Sequence, residues 1–156
     1  MLPEFIKAKY QQLQIGLSEC YNKRSEKRRE QFLTLTQPQL EIEFITQCFQ
    51  NPNQKQCEVA IAVRNAIAKL GFVDTEFIRS EACFEELDLL PFWEKCGDAG
   101  FDSMLFVEAI EEELGTKFPN EQLDSLSEST RDPDLNTQMK ILDFINDFYQ
   151  WFIQYF

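Results

Sequence analysis

The chain is predicted to fold as an all-α helical bundle, on three observations. Apolar residues recur at three- and four-residue intervals over most of the 156 positions. No segment alternates apolar and polar residues in the two-residue period of a half-buried strand, and no hairpin turn signal occurs. Pro3, Pro38, the run Asn51-Pro52-Asn53, Gly71 and Gly115 stand where the periodic segments begin or stop. A hydrophobic content of 44%, with 15 Phe, supplies a core for one domain of this length.

The elements follow in order. Pro3 suits the first position of a helix. Ile6, Tyr10, Leu13, Leu17 and Tyr21 then mark one apolar seam, which runs into the basic cluster Lys23, Arg24, Lys27, Arg28 and Arg29. Thr36 and Pro38 open a second helix with Leu40, Phe44, Ile45 and Phe49 predicted inward. A third helix is predicted over 54–70 through Val59, Val63, Ala66, Ile67 and Leu70, with Gly71 as its stop. A loop leads to Cys83 and Phe84. The connection 87–100 carries the apolar patch Leu89-Leu90-Pro91-Phe92-Trp93, in which Phe92 and Trp93 either cap the core or anchor a partner.

A further helix is predicted over 102–114, with Met104, Val107, Ile110 and Leu114 on the buried face. Glu108, Glu111, Glu112 and Glu113 fall mainly on its other faces, and Gly115 ends it. A short helix around Leu123 and Leu126 precedes the polar loop 127–136. The last helix is predicted from Thr137 to the end, with Lys140, Asp143, Asp147, Gln150 and Gln154 as its polar stripe. Its aromatic remainder either packs into the bundle or forms a surface for a second copy or a partner helix. Residues 1–53 are read as a helical extension of a main domain over 54–156, the two forming one compact unit.

Composition narrows the function. The chain has no His, so serine–histidine and cysteine–histidine catalysis are excluded on this chain alone, and the commonest metal ligand is missing. The expectation is a protein that is not an enzyme. The five cysteines, Cys20, Cys48, Cys57, Cys83 and Cys96, form no CxxC pair and read as reduced thiols of a cytoplasmic protein. There is no apolar run of membrane-spanning length, and 1–9 lacks the layout of a secretion signal. The segment 132–143 begins like a calcium loop, but Thr137 and Asp143 stand where glycine and glutamate are required, so no metal site is expected.

Charge is uneven. The formal net charge of −12 divides into +3 over 1–36, −1 over 37–80 and −14 over 81–156. An anionic second half repels phosphates and argues against nucleic acid as a partner. It favours docking on a basic protein surface. The basic cluster 23–29 reads as a solvated helix end, or as cations facing the chain's own acidic half.

One constellation carries a family resemblance. Val63-Arg64-x-x-Ile67-Ala68-x-Leu70-Gly71, Ile78-x-x-x-Ala82-x-Phe84, Gly100-Phe101-Asp102-Ser103-Met104-x-x-Val107-Glu108, Glu111-Glu112-Glu113-Leu114-Gly115-x-x-Phe118-Pro119 and Leu142-Asp143-Phe144-Ile145-Asn146 occur in this order. Together they resemble the acyl carrier proteins, over about 95 residues. The resemblance implies a carrier-like core with two extra N-terminal helices. It also implies a phosphopantetheine cofactor on Ser103, at a helix N-terminus whose amides tolerate a phosphate, and an acidic docking face formed by Asp102, Glu108, Glu111, Glu112 and Glu113. A gap-free alignment of the helix instead puts Gly100, which cannot carry the group, at the attachment position.

The leading expectation is therefore a non-enzymatic acidic protein that docks on or neutralises a basic partner, as bacterial immunity proteins do with basic toxins. Two others stand beside it. One is a carrier loaded on Ser103; the other is a secretion or assembly chaperone using the aromatic C-terminal helix.

Overall fold

The computed structural model describes residues 23–90, 103–129, 131, 133 and 136–156. Among them the chain forms six α-helices: α1 (Lys23–Leu35), α2 (Glu41–Cys48), α3 (Gln54–Gly71), α4 (Ser103–Leu114), α5 (Asn120–Ser129) and α6 (Ile141–Tyr155). Short 3-10 helices cover Thr75–Phe77 and Phe84–Leu89. No strand occurs among the described residues, and the fold is an all-α bundle. The predicted seam from Ile6 to Tyr21 lies outside them.

α3 is the centre of the bundle and packs against α2, α4 and α6. Asn53 starts it with a capping box: its Oδ1 accepts the Gln56 amide at 2.8 Å, and Gln56 Oε1 accepts the Asn53 amide at 2.9 Å. Two otherwise orphaned amides are thereby satisfied. Val59, Val63, Ala66, Ile67 and Leu70 are all buried, as their spacing predicts. Gly71 serves a different purpose from the predicted one. It is the last helical residue, and the left-handed turn falls on Phe72, with φ 55°. A Cβ on Gly71 would lie 2.7 Å from Leu90 Cδ1, so the glycine lets buried Leu90 pack close against the helix end.

Two other boundaries move for backbone reasons. Leu40 was expected inward, yet it is the N-cap of α2 and 67% exposed, leaving Phe44, Ile45, Cys48 and Phe49 to face the core. The last helix starts at Ile141 rather than Thr137, because the chain before it pairs with the segment around Cys83. Amides of Phe84 and Glu85 donate to the carbonyls of Met139 and Thr137, and those of Ile141 and Leu142 donate to Ala82 and Ser80. This short antiparallel bridge satisfies groups that would otherwise be buried without partners.

The core is aromatic. Phe84, Phe106 and Phe144 meet with ring centroids 5.1–6.3 Å apart, and Phe118 packs edge-on to Trp151 at 5.1 Å. Offset and edge-on rings of this kind add about 0.5–1.5 kcal/mol per pair beyond area burial. Trp151 Nε1 donates to Ser125 Oγ at 3.0 Å, which locks α5 onto α6. The aromatic face of α6 is thus taken up inside the molecule, and only Ile153, Tyr155 and Phe156 remain exposed as large apolar groups near its end. Phe44, Ile45 and Phe49 join the same core as α3 and α6. No helix among the described residues is long and apolar enough to cross a membrane.

Candidate functional site

α4 carries most of the residues predicted to act, and the helix is rotated from the predicted setting. Phe106, Ala109 and Ile110 are buried, while Met104, expected inward, is 48% exposed. The rotation draws carboxylates in. Glu108 and Glu111 are each only 8% exposed, which corrects the expectation that they face a partner. Glu111 Oε2 accepts the Phe118 amide at 2.9 Å and so holds the turn after Gly115. Glu112 pairs with Lys69 Nζ at 2.8 Å, and Glu113 accepts from Asn65 Nδ2 at 3.1 Å. These bonds fasten α4 to α3. Of the four glutamates only Glu113 is exposed. Ser103 is the first residue of α4. Asp102, Phe92 and Trp93 lie outside the described residues.

A buried cation organises the opposite side. Arg64 is 2% exposed; its Nε donates to the Ile78 carbonyl at 3.0 Å and its Nη2 to the Gln39 carbonyl at 2.6 Å. Its guanidinium lies over the Phe44 ring, 4.6 Å from the centroid. Burial lowers the Arg64 pKa, with Glu41 foremost among the charges that oppose it. Next to it Gln39 exchanges hydrogen bonds with Ser80: the Ser80 amide donates to Gln39 Oε1 at 3.0 Å, and Gln39 Nε2 donates to Ser80 Oγ at 3.3 Å. The segment 37–40 is therefore tied to 76–80 through backbone and side chains alike, including the Gln39 amide on the Glu76 carbonyl at 2.8 Å.

That tie fixes the walls of a groove. α1 packs on the 3-10 helix Phe84–Leu89, and Arg28 Nη2 donates to the Asp88 carbonyl at 2.6 Å. Between them and the 37–40 segment lies a hollow of about 560 Å³, within the roughly 300–1,000 Å³ typical of binding clefts. Phe32, Leu35, Ala82 and Leu89 give it apolar walls, and Glu85, Glu86 and Arg79 border it. Arg79 is already spoken for, with Nε on Glu81 Oε1 at 2.6 Å and Nη1 on the Gln37 carbonyl at 3.0 Å. Burial alone would raise the Glu81 carboxyl, but hydrogen bonds from its own backbone amide and from Arg79 outweigh it and hold the pKa below the usual range.

Glu85 and Glu86 differ from the glutamates of α4. Both are exposed, and among the described residues neither forms an ion pair. Glu85 accepts from the Gln138 amide group, and Glu86 Oε2 accepts the Cys83 amide at 2.6 Å. Each is oriented by a neutral donor and lies open to solvent. None of the groove residues was predicted as functional. The available signals were a leucine, Leu35, at the end of a basic helix and two consecutive glutamates after a core phenylalanine. A second hollow of about 590 Å³ lies beside α3, lined by Asn65, Ala68, Lys69, Val73, Asp74, Thr75 and Glu76, and its charges are mixed. Among the described residues no group of three or more Cys, Asp or Glu is placed to hold a metal ion. No protein-family model, no curated protein and no solved structure matches the chain.

Proposed function

We propose that the chain is a non-enzymatic binding protein that docks on a basic protein partner through the acidic residues of its second half, in the manner of an inhibitor or immunity protein. The observation that carries this reading is the pair Glu85 and Glu86, exposed and without a described cation beside an apolar hollow. The net charge of −14 over 81–156 supplies the long-range field that steers a cationic surface toward them. On this reading the docking surface lies on the 3-10 helix Phe84–Leu89 rather than on the α4 glutamates. Immobilised protein exposed to lysate at low and moderate salt tests the reading. Basic proteins retained at low salt and released as salt rises support it; retention of no basic protein, or retention indifferent to salt, rejects it.

A second reading is a carrier-like protein bearing phosphopantetheine on Ser103. It draws on the motif Gly100-Phe101-Asp102-Ser103-Met104 and on the position of Ser103 as first residue of α4, where free amides and the helix dipole favour a phosphate. The prosthetic thiol would then do the covalent work, and the protein would supply presentation. Treatment with a broad phosphopantetheinyl transferase and coenzyme A, followed by intact-mass measurement, decides it. A mass gain of one prosthetic group that vanishes in Ser103→Ala establishes the modification; an unchanged mass dismisses it.

A further inference from the structure

We infer that the groove between α1 and the 3-10 helix Phe84–Leu89 receives an amphipathic helix of the partner, its apolar edge inside and its lysines or arginines against Glu85 and Glu86. This rests on the docking reading above and names the occupant it leaves open.

The walls are apolar but only partly covered. Phe32 is buried at the base, whereas Leu35 is 69% exposed on the rim. Leu40, the N-cap of α2, and Ile42, in its first turn, are 67% and 63% exposed but stand outside the lining of the hollow. Leu35 on the rim, with Ala82 and Leu89 beside it, is apolar surface that a binding partner removes from water. Charge selects the partner. Arg79, the cation among the lining residues, is paired with Glu81, and Arg28 and Arg29 of α1 are turned to the Asp88 and Phe72 carbonyls, so the charges the lining itself offers are those of Glu85 and Glu86. An occupant must therefore combine apolar anchors with positive charge beside them. A helix with leucines at three- and four-residue spacing and lysines flanking them meets both demands on one surface. An unstructured basic chain meets only the second.

The test is fluorescence anisotropy with a labelled fourteen-residue peptide of leucines and lysines in that pattern, using the full chain. A peptide of the same composition with the spacing scrambled is the control. The wild-type chain is expected to bind the patterned peptide at least tenfold more tightly than the scrambled one. Leu35→Lys alters a side chain that is mostly in water, so the fold survives, and it is expected to weaken binding about tenfold or more. Glu85→Gln is expected to weaken it about two- to fivefold and to reduce its salt dependence. Glu121→Gln, an exposed acid outside the groove, serves as the control substitution and leaves affinity unchanged.

Equal binding of both peptides, or indifference to Leu35→Lys, overturns the groove as the site while leaving the acidic docking reading standing. Binding of neither peptide overturns the groove proposal, and the lysate experiment above, which does not depend on the groove, then decides the docking reading on its own. Sedimentation that shows a dimer dispersed by Leu35→Lys assigns the groove to a second copy of this chain and overturns the helical partner.

Discussion

Truncating Arg64 to alanine probes the tie on which the groove walls depend. The side chain is 2% exposed and donates to two carbonyls, those of Gln39 and Ile78, at 2.6 and 3.0 Å. Its removal leaves both acceptors in a buried setting without that donor, at about 1–3 kcal/mol each. It also deletes the contact with Phe44, which is worth about 0.5–2 kcal/mol. Against this stands the relief of no longer burying a cation, a penalty of several kcal/mol for an ion held without a close countercharge. Taking the middle of each range and about 3 kcal/mol for that relief, the balance for Arg64→Ala is a loss of about 2 kcal/mol, or a fall in Tm of roughly 4–8 °C for a domain of this size. Arg64→Met keeps the apolar stem and removes the charge, and is expected to lose about 1–2 kcal/mol less. Urea and thermal unfolding followed by circular dichroism measure both variants. Amide exchange adds a local readout: the Gln39 and Ser80 amides, bonded to Glu76 and Gln39 respectively, are expected to lose protection first in Arg64→Ala. Arg64→Ala within about 1 kcal/mol of wild type, or less damaging than Arg64→Met, refutes the reasoning.

Further outcomes follow from the same packing. Gly71→Ala is expected to destabilise by about 1–3 kcal/mol, since fully buried Leu90 must turn away from the new Cβ, while Phe72→Gly relieves a left-handed turn and stabilises by about 0.5–1 kcal/mol. Unfolding midpoints in denaturant give both signs. Ending the chain after Tyr149 removes buried Trp151 and Phe152 and is expected to abolish the cooperative transition; a truncated chain that melts normally yet has lost partner binding would instead favour the chaperone reading. Burial pushes the Cys48 thiol up to about 12, so at pH 8 roughly one molecule in ten thousand is thiolate there, and alkylation mapped by mass spectrometry should find Cys48 protected in the native state. Glu81, held below its ordinary 4.5, contributes stability that is fully present above that value and is lost as pH falls through its lower folded pKa; an acid titration of Glu81→Gln should show a smaller loss across that window, and an unchanged profile contradicts it.

The class of fold was legible because α2 and α3 carry one apolar face each and the rest of the molecule packs on it. Val59 to Leu70 needed only the helical period, and Asn53 with Gln56 spells out its own cap. α4 was harder, since two stripes compete on it and both include Ile110. Which one turns inward depends on Phe106 finding Phe84 and Phe144, contacts made by residues far along the chain. A glutamate that caps a distant amide, as Glu111 does for Phe118, reads in sequence like any solvated carboxylate. The start of α6 was misjudged for a similar reason: 137–140 has helical spacing but is claimed by pairing with 82–85. The groove was not legible at all. Its walls come from 32–37 and 79–89, and neither segment has a period that announces a cavity.

Recognition of a cationic partner by the anionic second half is tested most directly by the association rate of a captured partner as a function of salt. The wild-type rate is expected to fall steeply from low ionic strength to about 0.15 M, where charges more than ~8 Å apart are screened. The double variant Glu85→Gln, Glu86→Gln should start slower and converge on wild type as salt rises. Rates that ignore salt, or coincide for the two proteins at every ionic strength, would contradict recognition through these carboxylates.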